Sequence, residues 1–439
     1  MSASIPEPGR VSPMYDPVSV ETPADGQHSA LSTLREPLFR TLWIAALVSY
    51  TGSWMQNIAT GWLMTSLTRS PMWVSLVQVA LSLPVFLIAL PAGALADMVD
   101  RRKFLLVTQA SMVAAAAVLG VLTVTGRVNP QLLLTFTFLL GAGAVMNDPA
   151  WQSLMPDLVP REKLSSAVAL NSAGFNIARA VGPALGGLVI AMAGSGTVFL
   201  LNAISFFGVI LFLYHWKPAP RDNGGPGITF KAAISVGLSY ARSEKRIRSV
   251  LVRTFVFAVF ASAFWALLPL IASKFGARGY GAMLAFFGVG ALAGALALSL
   301  AHRNLSRDAI VASATLLFAV AMFALGLNET LTVASIAAAA AGMAYISLLA
   351  TLNMVAQTAC TAWVRARVMS MYVLVLQGGL ALGSLLWGLV ASAIGVHLTL
   401  TWAAGALVAG LIIAPWYRLA AAAENGPGKK LANSTSHSE

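Results

Sequence analysis

The sequence predicts an all-α membrane protein with twelve transmembrane helices, arranged as two six-helix bundles. Only 10% of its 439 residues are charged and 58% are hydrophobic, whereas a soluble chain usually carries about 25% charged residues. Long apolar stretches recur from Leu42 to Tyr417, as a chain that crosses a bilayer repeatedly requires. Lys and Arg collect in alternate gaps between these stretches, a pattern typical of membrane topology.

Each predicted span is long enough to cross about 30 Å of hydrocarbon as a helix. The first six spans lie near residues 40–66, 72–97, 104–125, 131–155, 165–193 and 197–215. The second six lie near residues 249–273, 279–301, 308–327, 331–355, 368–393 and 397–419. We therefore expect an N-terminal six-helix bundle at 38–215 and a C-terminal six-helix bundle at 249–419.

Three polar segments flank the bundles. Residues 1–37 predict a disordered N-terminal tail, 216–248 a central linker and 420–439 a C-terminal tail, all cytoplasmic. The first tail has no continuous apolar region, so no cleavable signal peptide is expected. Gly and Pro residues prevent a continuous helix in the first part of the linker. The spacing of apolar residues in 230–243 favours an interfacial helix.

The distribution of basic residues predicts the orientation. With the N-terminus inside, 23 Lys and Arg residues fall in inside segments and 4 in outside segments, with Arg179 within a span. The positive-inside rule then places both termini in the cytoplasm. The expected location is a bacterial inner (plasma) membrane.

Composition also argues against several other classes. The net charge of +12 follows the topology, so we expect no nucleic-acid partner. A single cysteine, Cys360, excludes an internal disulfide and thiol–metal clusters. The sequence has no Walker-type glycine loop and no zinc-binding histidine pair, so neither an enzyme, a cofactor nor a metal is expected.

The most specific motif joins spans 2 and 3. Gly93, Asp97, Arg101 and Arg102 match the loop of the major facilitator superfamily, Gly-x-x-x-Asp-Arg-x-Gly-Arg-Arg, which this segment resembles. Asp100 replaces the usual glycine. The resemblance implies a loop that controls conformational switching, and the alternative is a plain basic loop.

A second motif lies in span 5. Gly182, Pro183, Gly186 and Gly187 resemble the Gly-Pro-x-x-Gly-Gly of drug exporters in the same superfamily. A Gly-Pro pair bends a helix, and the later glycines allow close packing. A packing kink without bearing on transport direction is the alternative.

From about Leu38 to Tyr417 the chain resembles the superfamily branch of the enterobactin exporter and macrolide-efflux-like proteins, on Asn147–Glu162 and Ala169–Ser172. That resemblance implies a monomeric secondary exporter of hydrophobic or amphipathic, siderophore- or drug-like molecules, working by alternating access with proton antiport. Uptake or transport of a lipid-like substrate, and a non-transporting scaffold or sensor, stay open.

Charged residues inside spans are costly and indicate function. Arg179 is the clearest, and Asp148 could pair with it if spans 4 and 5 pack together. Such a pair could exchange with a proton during transport, or it could be a static ion pair that holds a gate closed.

A cavity for an amphipathic molecule needs hydrogen-bonding groups among aromatic walls. The candidate cavity residues are Trp54, Gln56, Asn57, Asn176, Trp265, Asn353 and Gln377. Individually, such residues also serve as interhelical hydrogen bonds or interface anchors.

Overall fold

The computed structural model describes residues 30–152, 154–216 and 244–419, and their regular secondary structure is helical. Most of the predicted tails, the linker at 217–243 and its predicted interfacial helix therefore lie outside the described residues.

The described residues of the first half form six α-helices, one of them short. Their bounds are α1 Pro37–Leu67, α2 Pro71–Met98, α3 Arg101–Val124, α4 Pro130–Gln152, α5 Met155–Leu158 and α6 Leu164–His215. The 52-residue α6 changes direction at Gly194, whose φ of 81° is not helical, so it comprises a first arm, 164–193, and a second arm, 195–215. These two arms correspond to the predicted spans 5 and 6.

The second half contains six further helices. Their bounds are α7 Lys245–Ala272, α8 Gly276–Asn304, α9 Arg307–Leu327, α10 Leu331–Thr358, α11 Ala362–Ile394 and α12 Val396–Ala409. The predicted span at 397–419 is too long, because α12 ends at Ala409 and continues only as a 3₁₀ turn, Gly410–Ile413. Beyond that turn the backbone makes short turn hydrogen bonds, such as Ala414 N–H to Leu411 O at 2.9 Å and Trp416 N–H to Ile413 O at 3.1 Å.

Nine helical stretches of the described chain are long and apolar enough to cross a membrane. Two of them, Arg161–His215 and Lys245–Asn304, each contain two of the predicted spans. The count of twelve crossings stays a prediction.

Short polar turns begin several helices. Proline occupies the first turn of α1 and α2, where a missing N–H costs nothing. The side chain of Asp100 accepts a hydrogen bond from Lys103 N at 3.0 Å, and Ser306 accepts one from Ala309 N at 3.2 Å. These caps fix the tight loops before α3 and α9.

The two ends of the helix bundle differ in charge. One end, which we call the basic end, carries the loops with Arg101, Arg102, Arg303 and Arg307. The other end, which we call the opposite end, contains the turns after α1, α3, α7, α9 and α11. Only Arg69, Arg127, Lys274 and Arg278 are basic there in the described chain.

An ion pair at the basic end fixes the chain after α12. Arg253 of α7, which is only 5% exposed, pairs with Asp308 of α9. Asp308 Oδ2 also accepts a hydrogen bond from the Leu419 backbone N–H at 3.1 Å. Arg246 Nε donates to Leu419 O at 3.3 Å, so three segments are held together.

A smaller polar cluster joins three turns at the opposite end. Lys274 Nζ lies 2.5 Å from Glu329 Oε1 and 3.1 Å from His397 Nε2, and His397 Nδ1 lies 3.1 Å from Gly326 O. The hydrogen bond and charge of Lys274 lower the pKa of the exposed Glu329.

The halves meet closely near the opposite end. A Cβ on Gly281 of α8 would lie 2.8 Å from the Gly187 Cα of α6, and one on Gly388 of α11 would lie 2.8 Å from the Ser75 Cβ of α2. Trp62 stacks on Tyr280 with ring centroids 6.0 Å apart. Among the described residues, no comparable packing joins α4 to α10 or α11, so the halves separate toward the basic end.

The topology can be tested with single cysteines in a Cys360→Ser background. We expect Arg127→Cys, after α3, to react with a membrane-impermeant maleimide in intact cells, because its loop is predicted to lie outside. Asn304→Cys, at the end of α8, should react only after permeabilisation. Labelling of Asn304→Cys in intact cells, or protection of Arg127→Cys, would contradict the predicted topology.

Candidate functional site: a cavity between the two halves

A cavity of about 500 Å³ lies between the two halves and receives side chains from α1–α4, α6–α8, α10 and α11. Its volume falls within the range of small-molecule sites, about 300–1,000 Å³. Its wall from the first half extends as far toward the basic end as Trp151, near the end of α4. Its walls from α7 and α8, at Trp265 and Tyr280, lie nearer the opposite end.

Four aromatic rings form a continuous strip on the wall of the first half, which we call the aromatic strip. Trp151 and Tyr50 have ring centroids 6.4 Å apart, Tyr50 and Phe175 5.4 Å, and Phe175 and Trp54 6.1 Å. All three pairs meet edge to face, a favourable geometry for aromatic quadrupoles. The helical spacing of Tyr50 and Trp54 on α1 gives the strip its length.

The two intramembrane charges lie at the two ends of this strip. Asp148, one helical turn before Trp151, lies near the Tyr50 hydroxyl and is accessible from the cavity. The Arg179 guanidinium carbon lies 5.8 Å from the Trp54 ring centroid, over its face, as in cation–π contacts. No ion pair within 4.0 Å joins Asp148 to Arg179. The two charges, whose pairing the sequence left open, are therefore separated by rings in this conformation.

The second half supplies aromatic groups opposite Arg179. Tyr345 of α10 lies close enough to Arg179 for an electrostatic interaction between the two halves. The Trp265 ring meets Tyr345 edge to face at 5.6 Å, and Trp265 Nε1 is buried without a hydrogen-bond partner in the described chain. The indole N–H and the phenol hydroxyl therefore lie beside each other on one part of the cavity wall.

Five of the seven predicted cavity residues line the cavity. They are Trp54, Gln56, Asn57, Trp265 and Gln377. Gln56 is only 6% exposed, and its Oε1 accepts a hydrogen bond from Asn202 Nδ2 at 2.7 Å, so it also links α1 to the second arm of α6. Asn176 and Asn353 are not among the lining residues. Asn176 Nδ2 donates to Ser172 O at 2.9 Å, and Asn353 Oδ1 accepts from Gln357 Nε2 at 2.5 Å.

The sequence analysis missed several lining residues. Tyr50, Phe175 and Tyr345 belong to the cavity wall, and helical spacing to Trp54 and Arg179 could have indicated the first two. Gln109 Nε2 donates to Asn147 Oδ1 at 3.1 Å, while Gln109 Oε1 is buried and unpartnered in the described chain. No local pattern in the sequence marks that contact between α3 and α4.

The predicted switch loop lies at the basic end. Gly93 and Asp97 fall in the last turns of α2, and their side chains are not described. Arg102 donates from Nε to Leu213 O at 2.7 Å and from Nη2 to Tyr214 O at 2.6 Å. Arg102 thereby holds the end of α6 against the start of α3, and Arg101 is the first residue of α3.

The glycines of the span-5 motif are packing sites. A Cβ on Gly182 would lie 2.6 Å from Trp54 Cβ, and one on Gly186 would lie 3.0 Å from Met55 Cα. Both glycines bring α6 against α1, while Gly187 faces α8. The non-helical break in α6 is at Gly194, and the helix continues across Pro183.

Comparison with known proteins shows that this chain is similar to bacterial membrane transporters. A family model described as transmembrane secretion effector matches residues 28–434. The multidrug efflux pump Tap of Mycolicibacterium fortuitum is 28% identical over 386 residues, which covers 84% of this chain and 92% of Tap. The Staphyloferrin A transporter of Staphylococcus aureus is 25% identical over 235 residues, which covers 52% of this chain and 58% of that protein.

Solved structures match in fold. The nucleoside transporter NupG has a TM-score of 0.70 at 11% identity, covering 85% of this chain and 98% of NupG. An inward-facing, unoccupied bacterial homologue of the human lysosomal transporter Spinster has a TM-score of 0.67 at 14% identity, covering 89% of this chain and 96% of that homologue. At these identities the likeness concerns the fold alone.

The separation of Asp148 and Arg179 can be tested with a double-mutant cycle. We expect the melting-temperature shifts of Asp148→Asn and Arg179→Gln, measured in detergent, to add in the double variant, because groups without direct contact behave independently. Arg253→Gln and Asp308→Asn are the matched control, and their shifts should not add, because that pair is in contact. Rescue of one cavity charge by removal of the other would contradict the separation.

Proposed function

The chain belongs to the transmembrane secretion effector family of the major facilitator superfamily, and we propose that it is a secondary active exporter of hydrophobic or amphipathic small molecules, driven by proton antiport. The observation that carries this proposal is the cavity, which combines an aromatic strip with a charge at each of its ends. Such a wall suits molecules with an apolar body and a few polar groups. The relative Tap is a multidrug efflux pump, which supports export of amphipathic compounds here.

We infer the orientation from charge. The basic end is cytoplasmic by the positive-inside rule, which also puts both termini in the cytoplasm of a bacterial inner membrane. The close contact at Gly187 and Gly281 then closes the extracytoplasmic side. The described conformation is accordingly inward-open, ready to accept a substrate from the cytoplasm or the inner leaflet.

Transport requires the two halves to rock about the cavity. Closing the basic end would bring α4 and the first arm of α6 toward α10 and α11, and would carry Arg179 toward Tyr345. The contacts of Gly388 with Ser75 and of Trp62 with Tyr280 must then open. Small residues permit this change, because close backbone contacts can be broken without dragging long side chains apart.

We propose that the switch loop controls the change between the inward-open and outward-open conformations. Arg102 donates hydrogen bonds to two carbonyl groups at the end of α6. A movement of the loop between α2 and α3 would therefore also move the second arm of α6. Asp97, at the end of α2, is the acid that the family motif assigns to switching, and Arg101 is the nearby base. We infer that their role is conformational, because both lie at the turn between α2 and α3, whose Arg102 binds the end of α6.

Asp148 is our candidate for the proton carrier. It is the one carboxylate among the described cavity-lining residues, and it has no basic partner within 4.0 Å there. An acid in this position can accept a proton when the cavity faces outward and release it when the cavity faces the cytoplasm. Arg179 at the other end of the aromatic strip is free for a different role.

The proposal is tested by efflux from de-energised cells loaded with a panel of anionic, neutral and cationic fluorescent amphiphiles. Adding glucose should drive faster efflux in expressing cells than in cells without the protein, and a protonophore should stop it. Asp148→Asn should remove most proton-driven efflux, Asp148→Glu should keep part, and Glu162→Gln on the exposed basic-end turn should match wild type. Proton-driven accumulation instead of efflux would indicate uptake, and full activity of Asp148→Asn would exclude its coupling role.

A further inference from the structure

Arg179 is a charged cavity residue whose hydrogen-bond donors are not used by the described part of the protein. The side chain is half-buried and lines the cavity. Its only described partner on α1 is the face of Trp54, and a cation–π contact leaves the N–H donors at the guanidinium edge unused. None of those donors makes a hydrogen bond or ion pair with another described residue under the limits of 3.5 and 4.0 Å.

Two polar groups of the other half, the Trp265 indole N–H and the Tyr345 hydroxyl, lie near the same place. Trp265 Nε1 is buried and unpartnered in the described chain, and the Trp265 ring contacts Tyr345 at 5.6 Å. Tyr345, itself only 7% exposed, interacts electrostatically with Arg179. Residues that carry a cation, an indole N–H and a phenol hydroxyl therefore line the same part of the cavity from its two halves.

We propose that Arg179, Trp265 and Tyr345 form a recognition site for an anionic oxygen group, such as a carboxylate, on an amphipathic substrate whose apolar body lies along the aromatic strip. An oxyanion accepts charge-assisted hydrogen bonds from a guanidinium, often two at once, and the indole N–H can supply another. This inference rests on the proposed transport function and names the class of substrate for the same cavity.

The position of Asp148 fits this assignment. It lies at the far end of the aromatic strip from Arg179, beyond Phe175 and Tyr50. An anionic group at Arg179 is thus kept away from the one acidic group of the described cavity wall. Because Arg179 belongs to the first half and Trp265 and Tyr345 to the second, a bound anion would also connect the two halves.

The test uses three probes that share a ring and a tether and differ only in charge, namely pyrenebutyrate, pyrenebutanol and pyrenebutylamine. Their Kd values are measured by fluorescence anisotropy with the full chain in nanodiscs at neutral pH, with protein-free nanodiscs as background. We expect pyrenebutyrate to bind roughly tenfold more tightly than pyrenebutanol, the size of one good charge-assisted contact.

Variants distinguish binding at the proposed site from a general electrostatic attraction of the anionic probe to the protein. Arg179→Gln should abolish the preference for pyrenebutyrate, Arg179→Lys should keep part of it, and Trp265→Phe should reduce it while the ring is retained. Asp148→Asn should keep the preference, and Arg69→Gln, which removes an exposed charge at the opposite end, should leave every Kd unchanged. Elution as a monodisperse peak establishes that each variant is folded.

Several outcomes overturn the inference. These are equal binding of the three probes, a preference for pyrenebutylamine, failure of all three to bind wild type, or an unchanged preference in folded Arg179→Gln. If the cells show proton-driven efflux of other amphiphiles but no anion preference is found, the proposed anion site is wrong and the proposed export function stands. If an anion preference depends on Arg179 but no proton-driven efflux is found, the anion site stands and the proposed export function is wrong.

Discussion

The close approach of the two halves at one end is the constraint on which the rest of the structure depends. Gly187 and Gly281 bring the backbones of α6 and α8 within van der Waals distance, and Gly388 does the same for α11 against α2. A side chain at either place would hold the halves apart. Because the halves touch there and diverge toward the basic end, the space between them is a one-sided cavity. A channel would need an opening at both ends.

That cavity arranges charge along an apolar path. A lone arginine in a membrane span costs about 2.5–3.5 kcal/mol on insertion scales and more by other estimates, so packing alone does not account for Arg179. Its contact with Trp54 and its nearness to Tyr345 reduce the cost without neutralising the charge. Asp148 is held apart by Tyr50 and Phe175. The aromatic strip thus separates two charges that could otherwise cancel, and our proposals assign Asp148 to a proton and Arg179 to a substrate.

The sequence predicted most of the fold because the bilayer imposes simple rules on it. Span length, the alternation of basic loops and the switch-loop motif all follow from short stretches of chain. The prediction erred at the last span, where the α-helix ends at Ala409 and gives way to a 3₁₀ turn earlier than hydropathy suggests. The cavity was harder, since Asn176 and Asn353 are polar residues in spans like Asn57 but do not line it. Which side of a helix faces the cavity depends on packing between distant segments. For the same reason the sequence left open whether Asp148 pairs with Arg179, and no ion pair joins them in this conformation.

The central claim is that the cavity opens alternately at the basic end and the opposite end. Distances between spin labels test it most directly, with one pair at Glu162 and Arg365 on the basic end and another at Arg69 and Asn328 on the opposite end. On binding an anionic amphiphile at acidic pH, the first distance should shorten while the second lengthens. Distances that both stay fixed, or that change in the same direction, would contradict alternating access about this cavity.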